Sequence, residues 1–311
     1  MTTKHIVVLG GGTMGIDIAA TFGVNGWKTT VVNPADARAA TIEARFCQAQ
    51  ERLGKTASQR LTHVESMTQI SWQDVTLVIE AVPEILELKR GIFAELEHLA
   101  RPDTPLCSNS SALPISAIGQ GLKTQRRMVG THYFMPAHLV PGVEVICGEQ
   151  TDPAVAAQVA QWMREVGKVP IMVKKDLPGF LVNRIQHAVS REALNLVDRG
   201  IATIEDVDAA VRFAFGFRYL AAGPCLQRDH AGLDVHLAAA RSIYPDLCND
   251  SQPSQVLSDR VAAGAIGMKA GQGFYNWTPE AIAAERQRYE GLLAAAGALL
   301  NDDIQAAAKP R

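Results

Sequence analysis

The chain has 311 residues, more than a single hydrophobic core usually organises, so two domains are expected. Hydrophobic residues make up 47% and charged residues 20% of it, the balance of an ordinary water-soluble protein, and no apolar run is long enough to span a bilayer, which argues against membrane insertion. A formal charge of −2 leaves no basic excess to neutralise a phosphate backbone, so a small molecule rather than nucleic acid is the expected partner.

Short apolar runs at Ile6–Leu9, Thr30–Val32, Leu77–Ile79 and Leu106–Cys107 alternate with helical patterns such as Thr13–Asn25 and Ile85–Leu99. Buried strands alternating with helices predict a parallel sheet covered on both faces. Met128–Tyr133, Val143–Ile146 and Val169–Val173 are the further strands expected to complete it. From Phe180 onward only helical periods remain, over Phe180–Arg199, Ile204–Phe213, Leu233–Ile243, Val256–Ala263 and Pro279–Leu300, with Thr203 as the expected N-cap of the second. The charged Pro-Gly segment from Lys174 to Gly179 punctuates the change. The expected organisation is thus an α/β, Rossmann-type parallel-sheet domain over residues 1–177, followed by an all-helical domain over 178–311.

The five cysteines are scattered, odd in number and without a Cys-x-x-Cys pair, as expected of free thiols in a reducing compartment. After Met1 the chain enters a strand pattern without the apolar segment and cleavage site of a signal peptide, so a cytoplasmic location is expected.

Gly10-Gly11-Gly12-Thr13-Met14-Gly15 places glycine at the first, third and sixth positions, directly after a strand and before a helix. In that context Gly10 serves the tight turn, Gly12 lets backbone approach a pyrophosphate, and Gly15 lets helix pack on strand. Thr13 and Met14 open the helix whose N-terminus faces the phosphates, so NAD is the expected cofactor. At the end of the second strand, where an acid normally reads the ribose, stands Asn33. An asparagine still hydrogen-bonds ribose hydroxyls but lacks the charge that repels the extra phosphate of NADP. No arginine follows it directly, and Arg38 or Lys28 would have to reach inward, so NAD is favoured with weaker discrimination.

Ligands of open parallel sheets lie beyond the carboxyl ends of the strands, and there stand Ser108-Asn109-Ser110-Ser111, His132 and Glu144. A dehydrogenase needs a base for the hydroxyl proton as hydride leaves. Histidine titrates nearest neutrality, and a carboxylate can orient it and hold its imidazolium form.

Taken together these strings resemble the 3-hydroxyacyl-CoA dehydrogenase family. The resemblance runs through Val8 to Gly15, Val78-Ile79-Glu80-Ala81, Ser108 to Ser111, and His132-Tyr133-Phe134-Met135-Pro136 leading to Val143-Glu144-Val145. It continues through Pro178-Gly179-Phe180-Leu181-Val182-Asn183-Arg184 and Gly271 to Trp277. It implies that His132 is the general acid/base and Glu144 its orienting carboxylate, with Ser111 and Asn183 on substrate oxygens. Glu80 and Lys89 would lie along the cofactor and Asn109 near the nicotinamide ribose. It further implies a homodimer through the helical domain and assigns no metal. The serines have a second reading as caps of a helix near Pro114. His138 is either a substrate contact or a loop residue, and Arg218 either a solvated cation or a carboxylate clamp.

Acyl-CoA enzymes of the family carry a long helical arm in the interval before the Glu80 position. Here only 47 positions separate Asn33 from Glu80, with Arg38, Arg45, Arg52, Lys55 and Arg60 among them. The Pro136-to-Pro141 string resembles members that act on free hydroxy acids and on 5-formyl-3-hydroxy-2-methylpyridine-4-carboxylate. The expected substrate is therefore a small free hydroxy or formyl carboxylate. L-3-hydroxyacyl-CoA oxidation is the alternative, and a non-catalytic dinucleotide-binding or structural protein, as the lens lambda-crystallins of this family illustrate, is the further one.

Overall fold

The computed structural model describes residues 3–36, 39–54 and 61–307, so Arg38, Lys55 and Arg60 lie outside the described residues. Two units are distinguished. One holds the described residues up to Asn183 together with those from Leu293 onward, and the other is Arg184–Leu292. The boundary expected between Leu177 and Pro178 falls slightly ahead of this division, and the grouping of the last helical stretch with the first unit has no counterpart in the sequence reading.

Eight strands form the sheet of the first unit: β1 (His5–Leu9), β2 (Lys28–Val32), β3 (Leu61–Val64), β4 (Leu77–Glu80), β5 (Leu106–Ser108), β6 (Met128–Tyr133), β7 (Gly142–Cys147) and β8 (Val169–Val173). Their order is β3-β2-β1-β4-β5-β6-β7-β8. All neighbours pair in parallel except β6 and β7, which are antiparallel. Reversal of the strand order on either side of β1 makes the crevice above β1 and β4 the place where a doubly wound sheet receives a dinucleotide.

The pleat explains the buried runs. Along β1, Ile6 and Val8 enter one core while Val7 and Leu9 enter the other, so an apolar residue is required at every position. The same alternation continues through Leu77 and Ile79 against Val78 in β4. On β6 it sends Val129 and Tyr133 to the first core and Met128 to the second.

Helices α1 (Thr13–Gly23), α2 (Ile42–Arg52), α3 (Leu86–Leu99), α4 (Ile115–Ile118) and α5 (Pro153–Glu165) connect the strands. Asp152 caps α5, accepting from the Ala154 amide, with Pro153 as its first residue. After the sheet come α6 (Val182–Asp198), α7 (Ile204–Ala210), α8 (Gly216–Tyr219), α9 (Pro224–Ala231), α10 (Leu233–Ile243), α11 (Gln255–Ala262), α12 (Pro279–Leu299) and α13 (Asn301–Ala307). Thr203 does cap α7, in a reciprocal box with Asp206. The period expected to run to Phe213 changes at Val211–Phe215 to a π-helical turn. Beyond β8 the described residues contain no strand ladder, only isolated bridges at Gly267, Gln272 and Asn276. No described helix is long and apolar enough to cross a membrane.

Candidate active site and cofactor crevice

The glycine loop is shaped for a dinucleotide. Gly10 has φ of 111°, and a Cβ there would stand 2.7 Å from the Ala81 carbonyl oxygen, while one on Gly15 would stand 1.9 Å from that of Gly10. Any side chain at either position would push β1, β4 and α1 apart. Around Gly12 the situation is opposite, since a Cβ would meet nothing within 4 Å. Gly12 is the N-cap of α1 and offers no side-chain cap to the first-turn amides. Open space in front of uncapped amides fits a pyrophosphate, flanked by exposed Thr13 and half-buried Met14.

Asn33 is 5% exposed. Its Oδ1 accepts from the Gly11 amide at 3.1 Å, and its Nδ2 donates to the Pro34 carbonyl at 2.8 Å and to Asp36 Oδ1 at 3.1 Å. The side chain thus organises the loop beside the ribose position, and Arg45 completes it by donating to the Gly11 carbonyl at 2.9 Å. Lys28 begins β2, at the end of that strand away from Asn33.

Glu80, the last residue of β4, and Lys89, on α3, are both buried. They are 0% and 1% exposed and paired at 2.7 Å. Glu80 Oε2 also accepts from Ser108 Oγ at 2.7 Å. The carboxylate closer to the surface is Glu84, which sequence reasoning missed. Its Oε1 accepts from Ser110 Oγ at 2.5 Å and from the amides of Ser111, Ala112 and Leu113 at 3.0–3.2 Å. Burial works to raise its pKa, yet the Ser110 hydroxyl, the Ala112 and Leu113 amides and Lys89 outweigh burial and hold it below the usual carboxylate value. The signal available was an acid four residues past Glu80, between strand and helix. Asn109 accepts from the Tyr133 amide at 2.9 Å, tying the ends of β5 and β6.

His132 and Glu144 are directly opposite each other in the β6–β7 ladder. An antiparallel return after an eight-residue connection is what converts their separation in sequence into a contact. His132 Nδ1 lies 2.7 Å from Glu144 Oε2, with side-chain exposures of 4% and 0%. Glu144 Oε1 accepts from the Leu181 and Val182 amides at 2.9 and 2.8 Å. Burial pushes the Glu144 pKa up, but the bonds from His132, Val182 and Leu181 prevail and lower it. An ionised Glu144 accepts a hydrogen bond from Nδ1–H of His132, which leaves Nε2 as the ring nitrogen without a hydrogen. Phe134 packs edge-on against the imidazole at 4.6 Å and Phe180 tilts over it at 5.9 Å.

Ser111 and Asn183 are brought together, with Asn183 Nδ2 donating to the Ser111 carbonyl at 3.1 Å. His138 is placed elsewhere. Its side chain is 1% exposed, with Nδ1 3.0 Å from Asp17 of α1, so of the two readings the loop residue is the one its environment supports. Arg218 lies in the second unit, on α8.

A dinucleotide cradle at the strand-order reversal, beside a buried histidine–carboxylate pair, defines an NAD-dependent dehydrogenase. Residues 5–177 match the family description "3-hydroxyacyl-CoA dehydrogenase, NAD binding domain" and residues 179–277 match "3-hydroxyacyl-CoA dehydrogenase, C-terminal domain". The chain belongs to the 3-hydroxyacyl-CoA dehydrogenase family. It is 32% identical, over 92% of its length and 95% of the relative's, to 5-formyl-3-hydroxy-2-methylpyridine 4-carboxylate 5-dehydrogenase of Mesorhizobium japonicum. A crystal structure of such an enzyme, described as an NAD+ dependent dismutase, superposes with a TM-score of 0.91 at 30% identity, covering 96% of this chain and 99% of that one. The (S)-3-hydroxybutyryl-CoA dehydrogenase of Ralstonia eutropha gives 0.71 at 28% identity, covering 89% and 100%.

Proposed function

We propose that the protein oxidises a small free hydroxy or formyl carboxylate, with 5-formyl-3-hydroxy-2-methylpyridine-4-carboxylate as the leading candidate and its dicarboxylate as the product. The observation that carries this reading is the whole-chain TM-score of 0.91 with the formylpyridine enzyme against 0.71 with an acyl-CoA enzyme of the same family. The interval after Asn33 agrees with it. Among its described residues are α2, of 11 residues, the edge strand β3 and three single 3-10 turns, with no paired helical arm to grip a nucleotide handle.

NAD, when bound along the Gly10–Gly15 loop, supplies the hydride acceptor. His132 Nε2 takes the hydroxyl proton of the alcohol, or of the aldehyde hydrate, as hydride leaves the same carbon, and a formyl hydrate thereby becomes a carboxylic acid. Glu144 holds the ring in its tautomer and stabilises the imidazolium. Ser111 and Asn183 bind substrate oxygens. Asn109 and the Glu84-bound turn line the nicotinamide side. Arg218 is proposed as the clamp for the substrate carboxylate, and its replacement by Met is expected to raise KM for the acid far more than for an uncharged analogue.

The protein is further proposed to act in the cytoplasm as a homodimer through its helical part. Beyond Phe180 no described residue is buried, and Phe213, Phe217, Leu233 and Val235 are 60–68% exposed. Amphipathic helices without a core of their own need a covering partner. Light scattering at twice the chain mass is the expected result.

The deciding assay follows NADH with the formylpyridine carboxylate, free 3-hydroxy acids and acetoacetyl-CoA in parallel, together with the His132→Gln variant. Turnover of a free acid class that falls roughly 10²–10⁴-fold in the variant supports the proposal. Efficient reduction of acetoacetyl-CoA alone would replace it with the acyl-CoA reaction. NADH binding without any turnover would mark a non-catalytic protein.

A further inference from the structure

Phe180 is the one non-glycine residue with positive φ among the described residues, at 48°, and it follows Gly179 at 74°. A phenylalanine has no polar atom to bond its own backbone in that conformation, and a Cβ biases a residue against it by roughly five- to thirty-fold. Such a residue persists only where its surroundings over-determine it. Here the ring does so. Phe180 is 2% exposed, belongs to the core that includes Met128 and Ile146, and lies 5.9 Å from the His132 ring.

The consequence of the bend is visible in the next two residues. The Leu181 and Val182 amides, at the start of α6, both donate to Glu144 Oε1. Helix starts normally take a cap from their own sequence. In α6 the cap is the carboxylate that orients His132, reached because the left-handed pair Gly179–Phe180 turns the chain toward β7.

We propose that Phe180 is a positioning residue for the acid/base pair: its buried ring holds a left-handed backbone that aims two amides at Glu144 and so fixes the carboxylate against His132 Nδ1. The proposal rests on the reading of His132 and Glu144 as the acid/base pair. It makes a prediction that simple packing does not. Glycine at this position fills less space than alanine or valine but adopts the bend without bias, whereas a β-branched residue is a marked outlier there.

The test compares Phe180→Gly, Phe180→Ala and Phe180→Val in the full chain. The expected order of kcat/KM is wild type, then Gly, then Ala and Val, with the last two about five- to thirty-fold below Gly. Measured in the reducing direction, where His132 supplies the proton, the acid limb of the pH profile is expected to move to higher pH in the Ala and Val variants, because Glu144 has lost donors to its charged form. Independently of turnover, the downfield Nδ1 proton signal of His132 should be kept in the Gly variant and lost or shifted in the other two. NADH fluorescence titration establishes that each variant is folded, and if one of Ala and Val is not, the other carries the comparison. Ala or Val equal to or better than Gly, with an unmoved acid limb and an unchanged proton signal, would overturn the proposal. An active His132→Gln variant would instead sink the acid/base reading while leaving the proton signal to judge Phe180.

Discussion

Replacing Lys89 by Met should destabilise the first unit by about 3–5 kcal/mol, the range for removing one partner of a buried ion pair. The estimate follows from what remains. Glu80 Oε1 would keep the Val82 amide at 2.7 Å, and Oε2 would keep Ser108 Oγ at 2.7 Å, but the carboxylate is 0% exposed and would face no cation at contact distance among the described residues. Glu80→Gln is expected to cost less, about 1–3 kcal/mol, because Lys89 Nζ keeps Glu84 Oε2 at 3.3 Å and the Val82 carbonyl at 3.4 Å. The double variant should then lose clearly less than the sum, by at least about 1.5 kcal/mol, since neither charge is left alone. Urea unfolding of the four proteins, followed by tryptophan fluorescence without cofactor, measures this cycle. Parallel NADH titration separates the two roles open to the pair. A loss under about 1 kcal/mol with additive effects, accompanied by a large fall in NADH affinity, would refute the structural role and return Lys89 to direct cofactor contact.

Other consequences are equally measurable. Burial, assisted by the nearby Lys28, lowers the His5 pKa from 6.5 to about 4. A folded-state value below the unfolded one gives stability that is complete above pH 6.5 and is lost as pH falls toward 4, so His5→Phe should flatten that stretch of the stability profile by up to about 3 kcal/mol relative to wild type. An unchanged profile would mean that His5 is protonated at no penalty. Asn33→Asp should raise the ratio of NADPH to NADH dissociation constants, because a carboxylate repels the additional phosphate. It should also reduce stability by about 1–3 kcal/mol, since Asp36 Oδ1 loses the Asn33 donor and gains a like charge. An unmoved ratio would remove Asn33 from cofactor discrimination.

What was legible in the sequence is what local periodicity and motif spacing encode. The strand before Gly10, the helix after it and the run of β6 each carry an apolar pattern that a doubly buried strand or a packed helix requires. β3 did not show because Leu61–Val64 is a four-residue edge strand with no fully buried position, so its alternation is short and weak. The antiparallel turn of β7 is a matter of pairing, which periodicity does not report. His132 and Glu144 were identified by residue type and motif, yet their contact depends on ladder register. Glu84 and Phe180 were missed because their importance lies in backbone amides, of the Ser111–Leu113 turn and of Leu181–Val182, and every residue has an amide. For His138 the sequence left two readings open, because whether a histidine in the loop after β6 faces a ligand or folds inward onto Asp17 depends on the course of that loop.

That loop supplies a last prediction. Lys168 is 4% exposed. Its Nζ donates to the carbonyls of Ala137 at 2.6 Å and Val140 at 2.9 Å, the two sides of the turn that carries His138. Burial lowers its pKa from 10.5 to about 8, against the opposing pull of Asp17. Because the folded state releases this proton before the unfolded chain does, the unfolded state binds more protons between pH 8 and 10.5, and stability rises across that window rather than falling. The full span corresponds to about 3 kcal/mol, all of it absent at neutral pH, where the ammonium is buried at a penalty. Lys168→Met removes the titrating group and both donors, so the difference in stability between wild type and variant should widen in favour of wild type from pH 8 to 10.5. Other buried groups, such as Tyr133 and Cys107, whose pKa values burial raises, act equally in both proteins and cancel in the difference. The turn follows on β6, so kcat should fall in the variant while NADH affinity, proposed to be set at Gly10–Gly15, stays within a few-fold. Urea unfolding at pH 7.5, 9 and 10 gives the test, and a wild-type-minus-variant difference that is flat across this range would mean that Lys168 remains fully charged in the fold and that the carbonyls alone suffice to hold it.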